Sequence, residues 1–421
     1  MPTKKRARLS FAARVVVVFV IAVTAVMAQG AASAIKYKVL HRFTNGADGG
    51  FPRASMIFDS TGGLYGTTEA GGVYNFGTVF KLTANEDGRW TESVLHSFNG
   101  DGKDGVFPVA GLILDHAGDV YGTTTFGGSY GYGTVFQLSP SGDGSWTESV
   151  LYSFNNDRQD GYEPWAGLIF DAAGNLYGTT YYGGTGGSGT VFELSRNGDG
   201  GWTESVLHSF DAHGVDGYEP AAGLVFDRVG NLYGTTLYGG TNGAGNVFKL
   251  TANGDGSWRE SVLHTFSETD KEGFWPSASL VFDAAGSLYG TTLGGGRYGP
   301  GTIFQLTPEG QGWKEKVLHS FDFRDGVNPS ASVVLDQAGN LYTTTLFGGV
   351  LSCYHPDGCG VVFRMQPTTK GGWRGNVLHF FWDDPGALPS AGLVLDGQGH
   401  LYGTTGGDGV RNWGAVFEIT P

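Results

Sequence analysis

The sequence predicts an all-β fold: a seven-bladed β-propeller built from four-stranded blades. Three observations carry this. The motif LYGTT recurs with its Tyr at Tyr65, Tyr121, Tyr177, Tyr233, Tyr289, Tyr342 and Tyr402, with Val before Tyr121 and Thr after Tyr342. The spacings are 56, 56, 56, 56, 53 and 60 residues, a period that marks a repeat architecture. Each unit runs through four apolar segments, AGLIFD, LYGTT, GTVFxL and WTESVLHSF in pattern, four to eight residues long and bounded by Gly, Asp, Asn or Pro; these are strand signals. The seventh unit stops at AVFEIT, and the segment it lacks stands at the other end as KYKVLHRF, Lys36 to Phe43. A chain arranged this way closes into a ring, the N-terminal strand pairing into the last blade so that no sheet edge stays open. A solenoid needs atypical capping units, and none is visible.

Taken in order, the first element is not part of the ring. Residues 1–34 have a basic head (Lys4, Lys5, Arg6, Arg8, Arg14), an apolar run from Val15 to Ala28, and Ala32-Ser33-Ala34 as an A-x-A cleavage site. This reads as a secretory signal peptide; the run is shorter than the ~20 residues of a spanning helix. Residues 35–421 form the propeller domain. Its strands are a (AGLIFD), b (LYGTT), c (GTVFxL) and d (VLHSF), from the axis outward. The a–b turn reads DxxG, starting at Asp59, Asp115, Asp171, Asp227, Asp283, Asp336 and Asp396. An Asp that opens a tight turn caps it, and Gly supplies positive φ, so seven such acids read as turn chemistry. The c–d hairpin carries GDGxW at Trp146, Trp202 and Trp258, with EDGRW at Trp90. This pattern is loosely similar to the Asp-box hairpin of sialidase-type propellers, with a shorter Asp-to-Trp spacing, and reads as a turn plus a packing Trp.

Composition narrows the function classes. The formal charge is −14, and loss of a leader with five basic and no acidic residues takes it to −19. So acidic a chain argues against nucleic acid and anionic membranes as partners and suits an exported, monomeric product. The two cysteines, Cys353 and Cys359, sit in the b–c loop of blade six and read as a local disulfide. With His355 they also make a weak metal pattern.

LYGTT, the following GG, GTVF and VLHSF together resemble the GloVer (Gloeo/Verruco) tandem-repeat proteins of bacteria, over nearly all of residues 35–421. The resemblance implies a propeller-like repeat and an exported location; it implies no activity and no catalytic residues. The chain ends just past the closing strand, without the C-terminal anchor of some members, so a freely soluble product is expected. The inner hairpin is also similar to that of NHL-repeat and gluconolactonase-like propellers, a match of turn and strand that implies no lactonase chemistry.

Repeats allow a comparison within one chain. Positions fixed across blades build the scaffold, and exposed positions that vary can build a site. The d–a and b–c loops share one face, and that face carries the variation. The d–a loops read D-G-x-x-P, with acids Asp48, Asp104, Asp160, Asp216, Glu272 and Asp325; blade seven departs at Pro385. Each acid reads as the cap of its own loop; the alternative is a ring that holds calcium. Around the Pro stand Phe51, Arg53, Phe107, Glu163, Trp165, Glu219, Trp275 and Asn328, and the b–c loops add aromatics that include Tyr181, Tyr182, Tyr238, Tyr354 and Trp413. Aromatic faces on Gly-rich loops suit sugars and polymer chains, which makes Arg53, Trp165, Tyr182, Tyr238, Trp275 and Trp413 the candidate ligand residues. Packing between blades is the alternative use of the same rings. Glu163 and Glu219 occupy equivalent positions in adjacent blades; inverting glycosidases hold their two carboxyls at about 6.5–9.5 Å, so they are the candidate catalytic pair. The His of VLHSF recurs at His41, His96, His208, His264, His319 and His379, and reads as packing and hydrogen bonding. No serine-nucleophile, phosphate-loop, HExxH or quinone-cofactor motif is present. The function expected is a binding module for glycan or cell-surface polymer; the alternatives are a polysaccharide hydrolase or lyase, and a structural or protein-interaction scaffold.

Overall fold

The computed structural model describes residues 35–269, 271–353, 355–382, 386–407 and 413–421. Residues 1–34, read above as a signal peptide, lie outside the described residues, as do Tyr354 and Pro385. No helix of the described chain is long and apolar enough to cross a membrane.

Seven antiparallel four-stranded units form the ring. Blade one is Ile57–Phe58, Leu64–Thr68, Thr78–Ala84 and Trp90–Ser97, paired in that order. In blade seven the fourth strand is Lys36–Arg42, antiparallel to Ala415–Thr420 with Lys36 opposite Thr420. The ring therefore closes through the two ends of the chain. The outermost strands bulge at the Leu of VLHSF, as at Leu95 between the Val79–His96 and Phe80–Val94 pairs. After the bulge the chain turns Phe98 toward the next blade, where it meets Phe136 edge-on at 5.2 Å. The same pair recurs around the ring and spans the closure as Phe43 on Phe80, at 5.1 Å.

The inner strands depart from expectation. Strand a is two residues long in every blade, not four or more. The residues before it, such as Ala54-Ser55 and Ala110-Gly111, converge on the axis and line a narrow passage. Their carbonyls bond instead to the next-to-last Thr of LYGTT in the neighbouring blade: Thr67 Oγ1 donates to Ala110 O at 3.2 Å, and Thr404 Oγ1 to Ala54 O at 3.4 Å. The marker motif is thus an inter-blade device. Its Leu fills the core, its Tyr packs on the next blade (Tyr121 on Phe170, 5.2 Å), and its Gly lies under the strand-c Phe. A Cβ on Gly122 would stand 2.6 Å from Phe136 Cζ.

The turns follow their sequence. Asp59 Oδ1 accepts from Thr61 N and Gly63 N, both at 2.8 Å, and Gly62 has φ 88°. The strand-d Trp residues pack on inter-blade Tyr rings, Trp146 on Tyr65 at 6.2 Å and Trp90 on Tyr402 at 6.2 Å.

Candidate functional site

The d–a and b–c loops meet on one face and pair with each other inside each blade, for example Gly105–Gly127 and Tyr162–Tyr182. The acids of D-G-x-x-P turn back into their own loops. Asp104 Oδ2 accepts from Asn99 N at 3.0 Å and lies 3.0 Å from His96 Nε2; Asp216 and Asp325 lie 2.9 Å from His208 and His319. Among the described residues no three His, Cys, Asp or Glu side chains stand where they could share a metal ion. Cys353 and Cys359 are disulfide-bonded, with 6.2 Å between their Cα atoms.

The residue before each Pro is the unusual one. Phe51, Phe107, Glu163, Glu219, Trp275, Asn328 and Leu388 all adopt φ between 53° and 62°. Positive φ is costly for residues with a side chain and persists only where the surroundings impose it. Here both backbone groups are held. Glu163 N donates to Tyr132 O of the preceding blade at 3.0 Å, and its carbonyl accepts from Tyr181 N at 3.0 Å. The Pro that follows presses on the Gly that opens strand c of the preceding blade; a Cβ on Gly133 would be 2.7 Å from Pro164 Cδ. The x-P step is therefore a clamp across every seam, and the residue after the Pro is delivered to the axis.

Those post-Pro residues ring a cavity of 650 Å³ at the axial mouth: Arg53, Val109, Trp165, Ala221, Ser277, Ser330 and Ser390. A second tier follows LYGTT, with Glu69, Thr125, Tyr181, Leu237 and Leu293, and Phe107 and Phe126 complete the wall. The ring is lopsided. Large side chains come from blades one to three, and from blade four onward the post-Pro positions are Ala or Ser. Trp165 is 43 % exposed and lies flat against buried Tyr181, with centroids 4.5 Å apart and planes at 17°. The Tyr181 hydroxyl donates to Glu219 Oε2 at 2.6 Å, so Tyr181 cannot swing and Trp165 rests on a fixed base. Burial and that bond push the Tyr181 hydroxyl well above its ordinary range. Arg53 Nε reaches Glu69 Oε2 at 2.6 Å. The hydroxyls of Thr125, Ser277 and Ser390 are buried and have no protein partner.

Of the sequence candidates, Arg53 and Trp165 meet at this mouth. The other four serve in aromatic pairs between loops: Tyr182 beside Tyr162 (5.6 Å) and Tyr181 (4.7 Å), Tyr238 beside Tyr218 (5.7 Å) and Trp275 (6.0 Å), and Trp413 edge-on to Phe51 (5.3 Å). None of these four lines the axial cavity. Glu163 and Glu219 stand behind the wall rather than in it. Burial raises the Glu163 carboxyl above its ordinary value, and Glu219 reaches the cavity through Tyr181. Sequence reading missed Glu69, Thr125, Ser277 and Ser390. The signal was there, since the positions directly after LYGTT and after the Pro both vary from blade to blade.

Three overlapping stretches, residues 26–236, 87–281 and 227–421, match the Gloeobacter/Verrucomicrobia repeat. The chain belongs to that repeat family. No protein of curated function matches the sequence. Among solved structures the chain is similar to a polysaccharide lyase, an ulvan lyase, at 13% identity with 90% of this chain and 95% of that chain covered and a TM-score of 0.54. It is similar to a provisional 6-phosphogluconolactonase from Bacteroides uniformis at 14% identity, covering 81% and 88%, TM-score 0.51. It is also similar to the extracellular domain of a provisional one-component system from B. thetaiotaomicron at 12% identity, covering 92% of this chain and 42% of that one, TM-score 0.52. At these identities the likeness is one of fold.

Proposed function

We propose that this Gloeobacter/Verrucomicrobia repeat protein is an exported binding module that takes glycan or cell-surface polymer at its axial mouth. The observation that carries the reading is the exposed Trp165 face, seated on a Tyr181 that Glu219 locks in place. Sugar rings bind such flat apolar faces beside a few polar groups, and the platform is held before any ligand arrives. The leader-like segment, the disulfide and the acidic charge support export. Trp165→Ala tests the reading. As an exposed platform it costs under about 0.5 kcal/mol of stability while removing most glycan affinity, read by thermal melting and by calorimetry on a glycan found by array screening. A melt depressed by the ~3–5 kcal/mol of a buried aromatic would make Trp165 a packing residue and end the proposal.

A polysaccharide hydrolase or lyase is the second reading, favoured by one observation. Partial burial raises the Glu163 carboxyl in the direction a general acid requires.

A further inference from the structure

We propose that the axial mouth selects an uncharged sugar; this rests on the mouth being the glycan site. Charge is the first ground. Among the described residues the cavity wall carries one cationic side chain, Arg53, and Glu69 already engages it at 2.6 Å. Glu219 stands directly behind Tyr181. A uronate or sulfated unit would enter a wall whose cation is already neutralised, next to a carboxylate and within a strongly acidic protein. Its charge would lose water and find no free counter-charge, and burying an unpaired charge is costly.

The hydroxyls are the second ground. Thr125 Oγ1, Ser277 Oγ and Ser390 Oγ lack partners in the folded protein, and Thr125 is 4% exposed. Buried polar atoms are normally satisfied. Hydroxyl groups that both donate and accept are matched by the hydroxyls of a neutral sugar. Thr125 belongs to the aromatic side of the cavity, Ser277 and Ser390 to the open side. A pyranose lying on Trp165 can thus be read at its edges from two directions.

Calorimetry on the purified protein tests this with neutral tetrasaccharides of glucose, mannose and xylose beside tetrasaccharides of galacturonate and glucuronate. At least one neutral member should bind and lose ten-fold or more in Trp165→Ala. The uronates should not bind the wild type, and Glu69→Gln, which frees Arg53, should admit them. Uronates that bind the wild type as tightly as the neutral sugars, and depend on Trp165, would overturn the charge inference while leaving the site in place. Binding indifferent to Trp165, or silence from the whole panel, would overturn the site and the inference together. Melting curves of both variants confirm that the fold is retained.

Discussion

Blade two and blade six solve one packing problem in opposite ways. In blade two, Gly122 of strand b leaves room for the Phe136 ring, and the half-buried Glu148 of strand d faces His96 and Asp104 of blade one. In blade six, Thr343 replaces the Gly and Gly375 replaces the Glu. The Phe363 ring turns outward over Gly375, where a Cβ would collide with it, and lies 4.6 Å from His319 of blade five. It fills the space a Glu takes elsewhere. Its contact with Phe321 survives at 5.0 Å. The lesson is that repeat positions change in compensating pairs where they meet across a seam. At the axial mouth the residue after the Pro pairs only within its own blade, Arg53 with Glu69 and Trp165 with Tyr181, and changes freely from blade to blade. That contrast separates scaffold from candidate site.

The comparison breaks first at the closure. Blade seven is like its neighbours only while Lys36–Arg42 supplies its outer strand and Phe43 packs on Phe80. Deleting residues 35–43 should cost more than the ~3–5 kcal/mol of one buried Phe, because it also bares a strand edge. Loss of the cooperative melt and the appearance of aggregates on size exclusion are expected. A truncated chain that melts like its parent would mean the ring does not depend on closure.

The pairing itself is sharpened by rebuilding blade six in blade two. Gly122→Thr alone should overpack Phe136 and cost about 1–3 kcal/mol. Adding Glu148→Gly opens the outward position and should restore much of that loss, giving a coupling within the ~0.5–3 kcal/mol usual for contacting residues. Simple additivity in a double-mutant cycle would show that the two blade-six exchanges are unrelated.

The smallest effect is a pH dependence of the strand-d Glu, whose place Gly375 takes in blade six. Burial, reinforced by acids of the preceding blade, pushes Glu92, Glu148 and Glu315 up to about 7 and Glu204 up to about 8; burial likewise raises Glu260 to about 7. A carboxyl raised on folding contributes stability that is full below its unfolded value near 4.5 and is lost as pH rises through its folded value. Buried His264 and His379, lowered to about 4, act oppositely: their contribution is present above 6.5 and lost as pH falls through 4. Glu148→Gln should therefore raise the melting temperature at about pH 8 and leave it nearly unchanged at about pH 5. An equal shift at both would assign the effect to packing.

Much of this was legible in the residues. The period gave the blade count, the displaced KYKVLHRF gave the closure, and DxxG gave the turns, because each is a local pattern whose partner lies within one repeat or at its end. The site was only half legible. Phe51, Trp275 and Glu219 share with Trp165 a variable loop and an aromatic or acidic character, yet only Trp165 faces the axis. The two-residue step from before the Pro to after it sends side chains to different surroundings, and the positive φ that makes this so depends on a carbonyl supplied by the preceding blade.

The sequence alone therefore determined that the chain forms seven β units closed end to end, since hydrophobic alternation, turn residues and repeat spacing act over short distances. The tertiary structure decided which varying residues share one cavity, why strand a shrinks to two residues, and why Thr343 and Gly375 belong together. Those outcomes depend on the close approach of segments about one repeat apart, where steric fit at the axis and across the seams overrides any local preference.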